Sequence, residues 1–188
     1  MSGSARIKRD MPQRESFGLD PYDLKPANNL SRQQQGAVNQ YASNSTYLNG
    51  DSLEAEGLRR HLDAAIEKSR LSDDARLYRG FGIAAEHAEA MKAGDILPLS
   101  SGHVSTSTSK DVARRFSDDV YPGEASVLAE IRAPRGHPAL HIPTDPLVAA
   151  ELGGDQHEVL LPRTTRFHVH SVNEKSDGRY EVHGEALP

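Results

Sequence analysis

Three short stretches of this 188-residue chain carry side chains that could do chemistry together. The first is Leu77-Tyr78-Arg79-Gly80, where a guanidinium sits in a short run of apolar and aromatic residues. Arginine grips phosphate oxygens through two parallel charge-assisted bonds, and a following glycine lets backbone approach a ligand closely. The second is Val104-Ser105-Thr106-Ser107, a hydroxyl-rich strand pattern. The third is Gln156-His157-Glu158, standing directly before the apolar run Val159-Leu160-Leu161-Pro162. A carboxylate there can stabilise the positive charge that develops when a glycosidic bond to a good leaving group breaks. On an extended backbone Gln156 points the same way as Glu158, so the two side chains share a face. Each stretch also has a plain reading: a surface arginine, an exposed Ser-Thr strand, and a solvated acid at a strand end.

The elements that must position these residues follow a helices-then-strands order. Ser31 with Gln34 forms a capping-box pattern that opens a helix reaching about Tyr47. Asp51 with Glu54 repeats the pattern, and Leu58, Leu62, Ala65 and Ile66 share one face of a second helix ending near Ser69. Strands are predicted at 76–81, 96–99, 103–108, 126–133, 139–142, 158–161, 166–172 and 180–183, the last following the turn Asp177-Gly178. Short helices are predicted at 84–92 and at 110–116, the latter capped by Ser109 with Asp111 in its first turn. Phe116, closing that helix, is expected in the core. The stretch 143–155, rich in Pro and Gly, reads as a loop, with 149–152 able to form a turn of helix. Residues 1–29 read as a flexible tail or linker, with an expression remnant at Met1–Ser4, and 30–188 as one domain.

Composition narrows the function classes. With a net charge of −5, a mainly electrostatic grip on nucleic acid is disfavoured, although a local basic groove is not excluded. The chain has no cysteine, which removes disulfides, thiolate catalysis and Cys-based zinc sites. No apolar run approaches the ~20 residues of a membrane span, and no signal peptide is visible. Among the nine histidines, His168 and His170 share a strand face and His157 sits inside the third stretch. Their spacing matches no metal-ligand motif, so no metal is expected. No Rossmann or phosphate-loop glycine pattern occurs either.

Taken in order, Arg79, Ser105-Thr106-Ser107 and Gln156-x-Glu158 resemble the mono-ADP-ribosyltransferase toxins and effectors of the Arg-Ser-Glu type. The resemblance runs from about Ser31 to Leu161, and arguably through the last hairpin. It implies an α+β fold in which N-terminal helices pack on split antiparallel β-sheets with a central NAD cleft. It also implies NAD+ as co-substrate, held by Arg79 and Gly80, with Ser105, Thr106 and Ser107 shaping the nicotinamide pocket. Ser105 would orient the catalytic Glu158, which bonds the ribose 2′-hydroxyl, and the loop before Glu158 would recognise the target. Arginine-modifying members carry a second glutamate where this chain has Gln156. A neutral amide cannot act as a base. The expected acceptor is therefore an asparagine or glutamine side chain, a nucleobase or an RNA hydroxyl. A bacterial toxin of this kind would be secreted or delivered into a target cell, and a cognate immunity protein would follow. Two other readings stay open: an NAD+ glycohydrolase using water, and a non-catalytic interaction module.

Overall fold

The computed structural model describes residues 29–49, 52–100, 102–144, 150 and 154–188. The expected tail, save Asn29, and most of the expected helical turn at 149–152 lie outside them.

Ser31 opens helix α1 (Arg32–Ser43) through a complete capping box with Gln34. The buried Gln34 also accepts from Lys68 Nζ at 3.0 Å, so the cap ties α1 to the last turn of helix α2 (Leu53–Lys68). Helix α1 stops four residues before the expected end at Tyr47. Ser43 Oγ donates back to Asn39 O, and Asn44 Oδ1 accepts from Tyr47 N–H, which turns the chain into a 3-10 segment, Ser45–Asn49. Such local side-chain bonds compete with helix propagation. Helix α2 is capped by Ser52, which accepts from Ala55 N–H. The cap expected at Asp51 lies outside the described residues. Leu62, Ala65 and Ile66 are fully buried, and Leu58 packs beside them.

After α2 come strand β1 (Ala75–Ala84), helix α3 (Ala85–Ala90), β2 (Ile96–Pro98), β3 (Val104–Ser107), helix α4 (Lys110–Asp118), β4 (Glu124–Ala133), β5 (Leu140–Ile142), β6 (Glu158–Leu161), β7 (Arg166–Glu174) and β8 (Tyr180–Leu187). Strands β1, β4 and β8 run longer than the sequence pattern predicts. The expected strand ends at His183, and β8 continues through Gly184, where glycine marks a close approach: a Cβ at 184 would stand 2.1 Å from His168 O, beside the bulge between Val169 and Ser171.

The strand order is β2-β7-β8-β4-β1-β3-β6-β5. One pair, Tyr78↔Ser107, joins β1 to β3, so the sheet divides there into a five-strand and a three-strand part. Neighbouring strands are antiparallel except β4 and β8, which run parallel. This is the α+β arrangement expected, with that one parallel pairing as the departure. Strand β6 is buried on both faces. Val159 and Leu161 enter the core formed with Leu77, Ile131 and Phe167, while Leu160 enters a second core beneath α1 and α2. Its unbroken apolar run follows from that double burial. Among the described residues no helix is long and apolar enough to cross a membrane.

Gly80 shows how tightly α4 lies on β1. A Cβ there would meet Ala113 O at 1.8 Å and Ser117 N at 2.5 Å, both backbone atoms that cannot rotate away. Gly80→Ala is therefore expected to destabilise the domain by about 2 kcal/mol or more, the range for overpacking a close contact. Urea unfolding followed by circular dichroism measures this, and an unchanged midpoint would refute the close packing.

Candidate functional site

Adjacent strands β1, β3 and β6 bring Arg79, Ser105 and Glu158 together. Ser105 pairs with Leu160 in the β3–β6 ladder, so its side chain shares a sheet face with those of Leu160 and Glu158. That face looks toward α1. Ser105 Oγ donates to Glu158 Oε1 at 2.6 Å, and the Ser105 carbonyl accepts from Arg79 Nη1 at 2.6 Å. Tyr41, on α1, donates its hydroxyl to the same Glu158 oxygen at 2.9 Å. These residues line a cleft of about 540 Å³, walled by the end of α1, β1, β3 and α4.

Burial dominates the electrostatics. It pushes the Glu158 carboxyl above its usual range, opposed by the hydroxyls of Ser105 and Tyr41 and by the charge of Arg79. Burial likewise lowers Arg79, opposed by Tyr41 and Glu158, and a guanidinium so placed stays protonated. Tyr41 is driven far above the ordinary phenol value by burial and then by the Glu158 charge, which keeps it a donor. The Arg79 guanidinium also lies 5.6 Å from the Phe81 ring centroid, within cation–π range. Its buried Nε has no hydrogen-bond partner among the described residues. A buried donor without a partner, at the wall of a cleft this size, fits an anionic group such as a phosphate oxygen.

Thr106 and Ser107 are both buried, and both serve the backbone. Thr106 Oγ1 donates to Val159 O at 2.6 Å and Ser107 Oγ to Gln156 O at 2.7 Å. Gly80 lines the cleft as well as receiving α4.

Gln156 also lines the cleft, but not for the reason read from sequence. The alternation argument needs extended backbone from 156 to 158, and His157 instead has φ of 47°. Asp155 holds this turn: its Oδ1 accepts from His157 N–H at 2.8 Å and from Thr144 Oγ1 at 2.7 Å. Strand β6 begins only at Glu158. The Gln156 side chain is 9% exposed, and its Nε2 donates to Gly154 O at 2.9 Å.

Phe116 corrects another expectation. It is 50% exposed and lines the cleft, one turn on from the buried Val112 and Ala113, which share its face of α4 and line the same wall. Tyr41 was not anticipated at all. It continues the buried stripe Gln34, Ala37, Val38 and Tyr41 on α1, and the signal for it was a polar aromatic at the end of an otherwise apolar face. His168 and His170 pack edge to face on β7, 5.0 Å between ring centroids. Among the described residues no group of three or more His, Asp or Glu is placed to hold a metal.

Comparison with known proteins places this geometry. The family model for ADP-ribosyltransferase exoenzymes matches residues 14–186. No curated protein matches. Among solved structures, the fold is similar to the Vis toxin, an ADP-ribosyltransferase from Vibrio splendidus, at 22% identity and TM-score 0.63, covering 85% of this chain and 75% of that one. It is similar to Plx2a, an ADP-ribosyltransferase toxin from Paenibacillus larvae, at 24% identity and TM-score 0.63, covering 85% and 88%. C3stau2 from S. aureus, solved with NAD, aligns at 19% identity and TM-score 0.60 over 84% of this chain and 87% of that one.

The hydrogen bond from Ser105 favours the charged form of Glu158, so removing it has a definite sign. Ser105→Ala is expected to raise the Glu158 pKa further. A carbon-detected NMR titration of the side-chain carboxyl reads the change, and a fall or no movement would contradict the bond.

Proposed function

The chain belongs to the ADP-ribosyltransferase exoenzyme family, whose members use NAD+ as co-substrate, and from that premise we propose that it transfers ADP-ribose to an acceptor other than an arginine side chain. The linkage of Arg79, Ser105 and Glu158 through the two 2.6 Å bonds of Ser105 supports the transfer, and the uncharged Gln156 at the cleft supports the choice of acceptor. Family membership sets aside the non-catalytic reading.

In this proposal residues 30–188 form the catalytic domain of a toxin or effector delivered to a target cell. Arg79, which lines the cleft, holds the dinucleotide phosphates through its guanidinium. Gly80, Thr106 and Ser107 shape the wall against which the nicotinamide ribosyl end lies. Two hydroxyls converge on Glu158 Oε1, which leaves Oε2 for the ribose 2′-hydroxyl. The carboxylate then stabilises the positive charge that grows on the ribosyl carbon as the bond to nicotinamide breaks. The leaving group is a cationic pyridinium that departs as a neutral base, so it needs no electrophilic assistance.

Gln156 is the acceptor-reading residue of the proposal. With Nε2 engaged by Gly154 O, its Oε1 is available to accept from an amide N–H or a base edge. It carries no charge to pair with guanidinium and no basic site to deprotonate one. An asparagine or glutamine side chain, a nucleobase or an RNA hydroxyl suits it better. Labelled NAD+ incubated with separate protein, DNA and RNA pools tests the proposal. Label in one pool identifies the acceptor class, and nicotinamide release with no labelled pool would mean that water is the acceptor.

Two variants dissect the roles. Glu158→Gln keeps shape and loses charge, so nicotinamide release is expected to fall roughly 10²–10³-fold while NAD+ still binds. Retention of more than about a tenth of the wild-type rate would remove Glu158 from its role. Gln156→Ala is expected to reduce acceptor labelling far more than nicotinamide release. Equal losses in the two assays would show that Gln156 supports the cleft and reads no target.

A further inference from the structure

Tyr41 reaches Glu158 from α1, and a second set of charged residues stands behind it. His103, just before β3, sets its ring edge-on to Tyr41, with centroids 6.5 Å apart and planes at 76°. The His103 side chain is buried, and its Nε2 lies 2.7 Å from Asp63 Oδ1. Asp63 stands on α2. Its carboxylate is gripped by Arg163, which follows β6: Arg163 Nε donates to Oδ1 at 3.2 Å, and Nη2 bonds Oδ2. The cluster therefore ties α1, α2 and the ends of β3 and β6 together.

We propose that Asp63, His103 and Tyr41 form a positioning relay for Glu158, anchored by Arg163. The proposal rests on the reading of Glu158 as the residue that stabilises the ribosyl charge. Tyr41 lies in the last turn of α1, where the helix gives way to a 3-10 segment and its own backbone holds it least firmly. Its hydroxyl must still meet Glu158 Oε1 alongside Ser105 Oγ, so the ring needs lateral support. His103 supplies that support with a ring that is itself fixed. With Asp63 as acceptor at Nε2, the imidazole is held in one plane and one tautomer, as a third group orients a working residue in a catalytic triad. Arg163 does the same for Asp63 through a two-point grip. Burial works to raise the Asp63 carboxyl, yet the bonds from His103 and Arg163 hold it below its usual range, so it stays ionised as an acceptor. If the cluster served packing alone, apolar side chains would do so without the cost of partly desolvating Asp63 and Arg163.

The test is a double-mutant cycle on nicotinamide release, with kcat and the KM for NAD+ measured separately. His103→Phe keeps a ring against Tyr41 but cuts the link to Asp63. It is expected to lower kcat about fivefold and leave KM within about twofold, the scale of losing one well-placed hydrogen bond. Tyr41→Phe should lower kcat about tenfold. Because His103 acts through Tyr41, the double variant should be no slower than Tyr41→Phe alone. Asp63→Asn should lower kcat in the same way as His103→Phe, and it stands in for that variant should His103→Phe fail to fold by circular dichroism. Multiplying losses in the double variant, an unchanged kcat, or a loss confined to KM would each overturn the relay. Glu158→Gln, run alongside, separates the two levels. If it stays active, the reading of the site itself falls. If it is inactive while the cycle is additive, only the relay falls.

Discussion

Everything in the cleft depends on Ser105 using both of its oxygens. Its carbonyl holds Arg79 and its hydroxyl holds Glu158, so one residue of the middle strand sets the distance between a half-buried cation and a half-buried anion at the cleft wall. Each has lost part of its water, and charge-assisted bonds and mutual attraction offset that cost. The rest of the fold serves this arrangement. The strand order β1-β3-β6 places the three residues side by side, α4 closes over Gly80, and α1 adds the Tyr41 hydroxyl. The same partial burial strengthens the field at the carboxylate, which suits the role proposed for Glu158.

Much of this was legible in the sequence because it is local. The capping box at Ser31 and Gln34, the apolar face of α2 and the cap of α4 at Ser109 are short-range patterns, and each lies where the pattern places it. Arg79, Ser105 and Glu158 were legible as residue types in order. Their contact depends on strand pairing, which no local pattern encodes. Tyr41 escaped for the same reason: its partner lies 117 residues away. Phe116 was misplaced because a lone aromatic closing a helix gives no hint of which side faces a cleft. Gln156 was read through an alternation that holds in strands, whereas Asp155 and Thr144 bend the backbone at His157. The over-long reading of α1 and the short reading of β8 share one cause, side-chain or backbone contacts that override propensity.

The bend at His157 also separates two jobs. Up to Gln156 the chain is pinned by Thr144 and Gly154 of its own loop, and by one bond from Ser107 at the end of β3. From Glu158 onward it is pinned by the ladders of β3 and β5. On the proposed reading, the residue that meets the acceptor and the residue that works on the donor are thus held largely by different contacts.

Strand β6 carries one more consequence. It is only four residues long, Glu158 is its first, and both of its faces are enclosed by hydrocarbon. A slip by one position would turn Glu158 into the core behind the sheet and offer Val159 to the cleft, exchanging every side chain between faces. The misregistered strand is penalised, because that error leaves a charge in oil and apolar groups at the cleft. Folding therefore proofreads the site: a molecule that has completed its core has also set its carboxylate.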